Sequence, residues 1–225
     1  MVPEKEQSAW KHELAEGCRE LGLDLTKGQV EVFGTYRRMI RQWNRLADLV
    51  SEGDLSRLTE RHFLDSLSLL HILFPLRGAR VLDVGSGGGF PGLPIKICCP
   101  GIDLTLLEPR EKPWFFLRDV VATLPLKAVT LIRERAQSLH RTHRGADRFD
   151  LILARAVAPM ERLIRICFPL VRPGGLLVAY KGRRAHEEMA AAGGIIQEIG
   201  GQSVEVSTRT PGLDAERILV LIQRR

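Results

Sequence analysis

Hydrophobic residues change their spacing near residue 80, and this change divides the chain into two regions. Before residue 80, apolar residues recur at three- and four-residue steps, as they do in helices with one buried face. Two such stripes contain Trp10, Leu14, Cys18 and Leu21, and then Phe63, Leu64, Leu67, Leu70 and Leu73. We therefore expect residues 1–78 to form a helical extension packed on a second region, residues 79–225.

A further helix is expected between these two stripes. Thr26 and Gln29 have the spacing of a capping box, which predicts that the helix begins there. Its apolar stripe consists of Val30, Phe33, the stem of Arg37, Ile40, Trp43, Ala47 and Val50. Pro75 and Gly78 are expected to end the helical region.

After residue 79, short apolar runs alternate with helical stretches. The predicted strands cover residues 81–84, 104–107, 129–132, 151–154, 176–180, 204–206 and 218–222, and the predicted helices cover 91–99, 111–123, 159–169 and 184–197. This alternation predicts an α/β fold with a doubly wound, mostly parallel sheet of seven strands. No helix is predicted between the last two strands, so we expect the last strand to be antiparallel.

Composition excludes several classes of protein. The 225 residues are 44% hydrophobic and 27% charged, which is a globular balance and not that of a disordered or collagen-like chain. No apolar run approaches the ~18 residues that a membrane span needs, and the first residues contain no apolar core of a signal peptide. The four cysteines form no C-x-x-C pair, so we expect no disulfide framework and no metal site, and a cytoplasmic location.

The positive charge of the chain is unevenly distributed. The net charge is +6, and residues 151–225 carry 11 basic and 7 acidic side chains whereas residues 1–80 carry 12 of each. This gradient is compatible with a polyanionic partner such as RNA, although many basic proteins bind no nucleic acid.

The most informative motif is a glycine-rich loop directly after the first predicted strand. Gly85, Gly87 and Gly89 alternate with other residues, and Asp83 precedes them. A dinucleotide site of the G-x-G-x-x-G type would require glycine at position 90, which is Phe90. A carboxylate at this loop suits a ligand with a cationic end, and S-adenosylmethionine has both an ammonium and a sulfonium group. We therefore expect a site for S-adenosylmethionine and not for a dinucleotide.

A second acid supports the same ligand. Glu108 ends the second predicted strand, 23 residues after Gly85, about where an acidic side chain binds the hydroxyls of a ribose. Taken alone, Glu108 would be a solvated acid at the end of a strand; its combination with the glycine loop favours the ribose contact.

The alternating pattern, the D-x-G-x-G-x-G loop and Glu108 together resemble class I methyltransferases. Five further motifs occur in the order found in the bacterial ribosomal RNA small subunit methyltransferase G family, also called glucose-inhibited division protein B. These motifs are Arg61-His62-Phe63-Leu64-Asp65-Ser66, the run from Asp83 to Pro94, Arg155-Ala156, Lys181-Gly182, and Leu213-Asp214-Ala215-Glu216-Arg217. The resemblance covers residues 25–223.

The resemblance implies transfer of a methyl group from S-adenosylmethionine to N7 of a guanine in 16S ribosomal RNA, near the decoding centre. The family's cofactor positions correspond to Gly85, Phe90, the pair Ala136-Gln137, and Arg155. The chain departs from the family at Gln137, where an acid is common, and at Asp48-Leu49-Val50-Ser51, which replaces N-L-T-S. The first departure leaves the adenine contact open, and the second concerns the end of a helix.

Methylation at guanine N7 needs no general base, because this nitrogen carries a lone pair and no proton at neutral pH. Catalysis then depends on positioning. Arg155 and Lys181 end the fourth and fifth predicted strands and are the catalytic candidates. We expect Arg155 to face O6 of the guanine, a phosphate or the edge of the cofactor, and Lys181 to contact a phosphate. For either residue, the alternative is a basic surface residue at the end of a strand.

Several questions stay open from the sequence. His62 and Asp65 share a helix face, either as a packing pair or above the methionine end of the cofactor. Two alternative functions are a methyltransferase of the same fold that acts on another RNA base or on a protein, and a cofactor-sensing ribosome-assembly factor without turnover. For the function implied by the resemblance, we expect a monomer whose partner is 16S ribosomal RNA or the small ribosomal subunit, with no membrane association.

Overall fold

A computed structural model describes residues 4–73, 76–142, 149–213 and 216–225. The predicted break at Pro75 and the motif residues Asp214 and Ala215 lie outside these ranges.

Seven strands form one sheet in the order β3-β2-β1-β4-β5-β7-β6. Their bounds are β1 Arg80–Val84, β2 Asp103–Leu107, β3 Val129–Ile132, β4 Phe149–Arg155, β5 Val171–Lys181, β6 Gly201–Arg209 and β7 Glu216–Arg224. The first five strands pair in parallel, whereas β7 runs antiparallel to both β5 and β6. The predicted fold class and the antiparallel last strand are confirmed.

Two long helices open the chain, α1 (Glu4–Glu20) and α2 (Lys27–Ala47). The predicted capping box is present: the Gln29 N–H donates to Thr26 Oγ1 at 3.2 Å, and the Thr26 N–H donates to Gln29 Oε1 at 2.9 Å. At the other end of α2, Asp48 adopts a left-handed conformation with φ of 48°. The departure from the family sequence at Asp48 thus falls on a helix end, as predicted. Asparagine and aspartate tolerate this left-handed conformation better than most residues.

The apolar stripe from Phe63 to Leu73 does not form one regular helix. The segment 52–71, which contains most of it, consists of α3 (Glu52–Leu55), a π-helical turn (Thr59–Leu64), α4 (Asp65–Leu67) and a 3₁₀ turn (Ser68–His71). The Asp65 N–H bonds the carbonyl of Glu60, five residues back, and the Ser66 hydroxyl donates to the carbonyl of His62. These bonds compete with the regular α-helical ladder. Such π turns occur often at functional sites.

The remaining helices are α5 (Gly92–Cys98), α6 (Glu111–Thr123), α7 (Ala136–Thr142), α8 (Met160–Cys167), which continues as a 3₁₀ turn (Phe168–Leu170), and α9 (Ala185–Glu198). The pattern predicts all of these except α7.

Helices cover both faces of the sheet. Side chains alternate along each strand, so Val81 and Leu153 point to one face while Leu82 and Ile152 point to the other. The first face packs against α1, α2, the segment 52–71, α5 and α6, and the second packs against α7, α8 and α9. The N-terminal helices therefore form part of one covering layer, while the domain boundary at residue 78 remains a prediction.

None of the helices in the described ranges is both long and apolar enough to cross a membrane. The four cysteines are free thiols.

Candidate active site

The glycine-rich loop leaves the end of β1 in a conformation that side chains would disturb. Gly85, Gly87 and Gly89 have φ values of 68°, 55° and 89°, which favour glycine. A Cβ on Gly85 would lie 3.1 Å from Val157 Cγ2, and one on Gly89 would lie 2.3 Å from Leu93 Cδ1. From α2, the hydroxyl of Tyr36 donates to the carbonyl of Gly88. The loop is thus fixed before any ligand binds.

Asp83 lies beneath this loop and is fully buried. Its Oδ2 accepts the Gly92 N–H at 3.0 Å, which ties β1 to the start of α5. Burial raises the pKa of Asp83 to about 7. Asp83 lines neither of the two cavities described below. Its hydrogen bond with Gly92 supports the glycine loop, and the predicted contact of Asp83 with a cationic ligand stays a prediction.

Glu108 is also buried, and its carboxylate is already hydrogen-bonded. Oε2 accepts the Gly87 N–H at 2.7 Å, and Oε1 accepts both the backbone N–H of Arg110 at 2.8 Å and its side-chain Nε–H at 3.1 Å. The interpretation of Glu108 as a solvated acid at a strand end is therefore wrong. A ribose hydroxyl would have to share this carboxylate with Arg110, whose side chain is largely exposed and can move.

Three of the predicted cofactor residues meet at a pocket of 210 Å³. Gly85 lies on one side of it and the pair Ala136-Gln137, at the start of α7, on another. Val84, Leu107 and Ile166 supply apolar walls. The carboxyl ends of β1 and β2 meet here, as expected for a ligand site in an open α/β sheet.

A larger cleft of 670 Å³ adjoins this pocket. Val157 and Ala158 line both cavities and therefore form the wall between them. The cleft also contains both catalytic candidates, Arg155 and Lys181. Ala156, directly after Arg155, has a φ of 57°, a strained value for a residue with a side chain.

Arg155 is not a surface residue at a strand end, because its side chain is only 14% exposed. Nη1 donates to Asp65 Oδ2 at 2.9 Å and to the Arg61 carbonyl at 3.2 Å, and Nη2 lies 2.6 Å from His62 Nδ1. The guanidinium also lies 5.0 Å from the centre of the Phe90 ring. Arg155 thus joins β4, the glycine loop and the π-helical turn, so these guanidinium bonds point into the protein and not towards a guanine O6.

His62 is neutral at physiological pH. Burial, and next the charge of Arg155, lower the pKa of His62 to about 4. A guanidinium only donates hydrogen bonds, so His62 Nδ1 accepts and its proton is on Nε2, which lies 3.5 Å from Asp54 Oδ2. The imidazole packs against Phe90 with their ring centres 4.8 Å apart. His62 and Asp65 therefore both bind Arg155, and His62 also lines the cleft, while a place above the methionine end of the cofactor stays a prediction.

Asp65 binds two arginines from distant parts of the chain. Besides Arg155, Arg217 on β7 donates through Nε to Asp65 Oδ1 at 2.6 Å. Arg217 thus links β7 to the helical segment, and it lines the cleft. Asp54, which also lines the cleft, was not among the predicted site residues, and its place at the end of a four-residue helix gave no signal.

Lys181 is paired and not free. Its Nζ donates to Glu188 Oε2 on α9 at 2.6 Å and to the Ala158 carbonyl at 2.8 Å. Glu188 Oε2 also accepts the Met160 N–H at the start of α8. The charge of Lys181 is thus matched within the protein, and the predicted phosphate contact stays a prediction.

Both sequence and fold match known methyltransferases. A sequence model of the family described as rRNA small subunit methyltransferase G matches residues 29–212. The chain is 35% identical over 210 residues to ribosomal RNA small subunit methyltransferase G of Lachnoclostridium phytofermentans, covering 93% of this chain and 87% of that protein. It is 36% identical to the protein of the same name from Roseiflexus castenholzii, covering 90% and 86%.

Solved structures share the fold at low sequence identity. A methyltransferase from Pyrococcus furiosus superposes with a TM-score of 0.54 and 14% identity, over 72% of this chain and 83% of that one. TYW2 of P. horikoshii, solved in complex with MeSAdo, superposes with a TM-score of 0.55 and 15% identity, over 77% and 62%. These likenesses show a class I methyltransferase fold.

The hydrogen bonds of Arg155 predict that its replacement by alanine destabilises the protein. A solvated arginine would add little to stability, but Arg155→Ala leaves the buried carboxylate of Asp65 with fewer donors. Breaking a buried pair costs about 3–5 kcal/mol, and Arg217 still binds Asp65, so we expect a loss of about 2 kcal/mol in the free energy of unfolding. Urea denaturation measures this loss.

The matched control for this prediction is Arg165→Ala. Arg165 pairs with Glu161 on the exposed side of α8, so its removal should cost well under about 1 kcal/mol. Equal stability of the two variants would contradict the role assigned to Arg155.

Asp83 gives a pH-dependent prediction. Unfolded aspartate releases its proton near 3.8, whereas folded Asp83 keeps it up to about 7. The stability that Asp83 contributes is therefore full below pH 3.8 and falls as the pH rises through 7. Asp83→Asn lacks this titration, so its stability relative to the wild type should improve by up to about 4 kcal/mol between pH 4 and pH 7.5.

Urea denaturation across that pH range measures the difference between the two proteins. The variant Asp119→Asn, at a half-exposed aspartate whose carboxylate pairs with Arg118, should follow the wild type. A constant difference between wild type and Asp83→Asn at every pH would contradict the raised pKa.

Proposed function

The chain belongs to the rRNA small subunit methyltransferase G family, and from this premise we propose that it transfers a methyl group from S-adenosylmethionine to N7 of a guanine in 16S ribosomal RNA. The observation that carries the proposal is the junction of two cavities at the carboxyl edge of the sheet. One has the size of a single base and lies beside the glycine loop, and the other is open to a larger ligand.

The residues present fit the proposed cofactor. The positive φ values of Gly85 and Gly87 disfavour any side chain there, so the backbone of the loop stays accessible to a ligand. We assign the adenine to the pocket at Gly85, Ala136 and Gln137, the ribose hydroxyls to Glu108, and the methionine part to the cleft side of Val157 and Phe90. When bound, S-adenosylmethionine supplies an electrophilic methyl group on its sulfonium.

The chain's own part in the reaction is positioning. Guanine N7 attacks with its lone pair and releases no proton in this step, so no base has to be assigned to it. In agreement with this, His62 is neutral and held by Arg155, and Lys181 is paired with Glu188. His62 and Arg155, which line the cleft, are held by their mutual contact and by the ring of Phe90 behind them, which favours a fixed angle between nucleophile and methyl group.

Arg155 and Lys181 are proposed here as positioning residues. Arg155 lines the cleft while its donors hold the π-helical turn. We keep a contact between Arg155 and the edge of the cofactor as part of the proposal, and we assign phosphate contacts first to Arg184, which lines the cleft and is exposed. The partner is then 16S ribosomal RNA or the small ribosomal subunit, bound by a monomer in the cytoplasm.

A methyl-transfer assay tests the proposal. Purified protein is incubated with S-adenosylmethionine labelled in the methyl group and with naked 16S RNA, small subunits or bulk protein. We expect label in the RNA, and we expect chemistry specific for N7-methylguanine to cleave the RNA at the labelled nucleotide. Label in protein or at another base would establish an alternative substrate, and tight cofactor binding without any transfer would favour an assembly factor.

RNA binding should depend on Arg184 and on salt. Each phosphate contact adds roughly 0.7 to 0.9 to the slope of log affinity against log salt. Arg184→Glu should weaken binding and flatten this slope by about one contact or more. Titration of fluorescent RNA at several salt concentrations measures both quantities.

Lys127→Glu is the control with the same change of charge. Lys127 is exposed and precedes β3, at the amino edge of the sheet and away from the cleft. A larger loss of RNA affinity in Lys127→Glu than in Arg184→Glu would show that the RNA binds away from the cleft.

A further inference from the structure

The side chain of Arg110 occupies the place beside Glu108 that the proposed function assigns to the ribose. Its Nε–H donates to Glu108 Oε1 at 3.1 Å, and a Cβ placed on Gly87 would lie 3.5 Å from Arg110 Nη2. The guanidinium therefore lies next to both the glycine loop and the carboxylate, where a ligand that contacts both would have to lie. The side chain of Glu108 is only 2% exposed, whereas that of Arg110 is 61% exposed.

The hydrogen bonds of Glu108 leave too little room for two further donors. A carboxylate offers about four positions for hydrogen-bond donors, two on each oxygen. The Gly87 N–H donates to Oε2, and the backbone N–H and the Nε–H of Arg110 both donate to Oε1. Two ribose hydroxyls that both donate to Glu108 need one position more than remains. Of the present donors, only the side chain of Arg110 can leave without a change in the backbone.

The helix that Arg110 begins does not explain the position of this side chain. Arg110 is the N-cap residue of α6, and its side chain makes no capping bond. A positive charge is unfavourable there, because the helix dipole is positive at its amino end. In the described part of the chain, the guanidinium bonds only to Glu108. Its contribution is therefore a donor to a buried carboxylate, which is costly to leave without partners.

We propose that Arg110 is a stand-in for the ribose: it pairs with Glu108 in the empty protein and moves away when the hydroxyls of S-adenosylmethionine bind. The inference rests on the proposed function and adds a residue that competes with the cofactor. Ion pairs with an exposed partner are weak, so this competition lowers the affinity for the cofactor by no more than about fivefold. In return, the buried carboxylate keeps its donors while the site is empty.

The experiment compares two ligands by calorimetric titration: S-adenosylhomocysteine, and its analogue without the two ribose hydroxyls. Arg110→Ala should bind S-adenosylhomocysteine about two- to fivefold more tightly than the wild type, since no side chain has to be displaced. Added salt should reduce this gain, because it screens the ion pair of the wild type. The dideoxy analogue leaves Arg110 in place, so Arg110→Ala should bind it no more tightly than the wild type does.

Arg118→Ala is the matched control. Arg118 lies on the same helix, is 55% exposed and pairs with Asp119, so its removal takes away the same charge without affecting Glu108. This variant should bind both ligands as the wild type does. An equal gain in Arg118→Ala and Arg110→Ala would show a general effect of charge and overturn the inference.

Thermal melting gives a second measurement. Arg110→Ala should lower the Tm of the empty protein slightly, because Glu108 loses a donor. With saturating S-adenosylhomocysteine the Tm of the variant should equal that of the wild type, since tighter binding compensates for the lower stability of the empty protein. An equal loss of Tm with and without ligand would show that Arg110 keeps its place in the complex, which contradicts the exchange.

The titrations separate this inference from the proposed function. Weaker binding of S-adenosylhomocysteine by Arg110→Ala would show that Arg110 holds the ligand, and unchanged binding would show that it neither holds the ligand nor competes with it. Either result overturns the inference, although the protein still binds the cofactor product. If the wild type does not bind S-adenosylhomocysteine, the proposed function fails and this inference fails with it.

Discussion

One buried carboxylate holds the candidate site together. Asp65 is fully buried and binds Arg155 from β4 and Arg217 from β7. These three residues are far apart in the sequence, and each belongs to a different structural element. A buried acid without these donors would be strongly disfavoured, so the position of the helical segment, and with it the wall of the cleft, depends on this pairing.

The second constraint is the carboxyl edge of the parallel sheet. The ends of β1, β2 and β4 meet there and bring the glycine loop, Glu108 and Arg155 within one site. The N-terminal layer then closes one side, since Tyr36 bonds the loop and His62 packs on Phe90. The site is therefore built by both parts of the chain, although the loop itself lies within the strand-and-helix region.

Much of the fold could be predicted because it depends on local pattern. Strand β3 and helix α6 begin and end where the spacing indicates, and the capping box at Thr26 needs only its own two side chains. The π-helical turn at Thr59–Leu64 was not predicted, because apolar spacing does not distinguish a backbone bond to the fifth residue back from the regular bond to the fourth. Helix α7 was not predicted either.

By itself, the sequence determined the fold class, the glycine loop with its companion acid, and the family, because these depend on residue order and on neighbours along one strand or turn. The tertiary structure alone decided which charges are free. Arg155 and Lys181 have the same placement at strand ends, but Asp65 and His62, some ninety residues earlier in the chain, bind Arg155, whereas Glu188 on the next helix, α9, binds Lys181. Such outcomes depend on what packs above each residue, and no spacing along a chain contains that information.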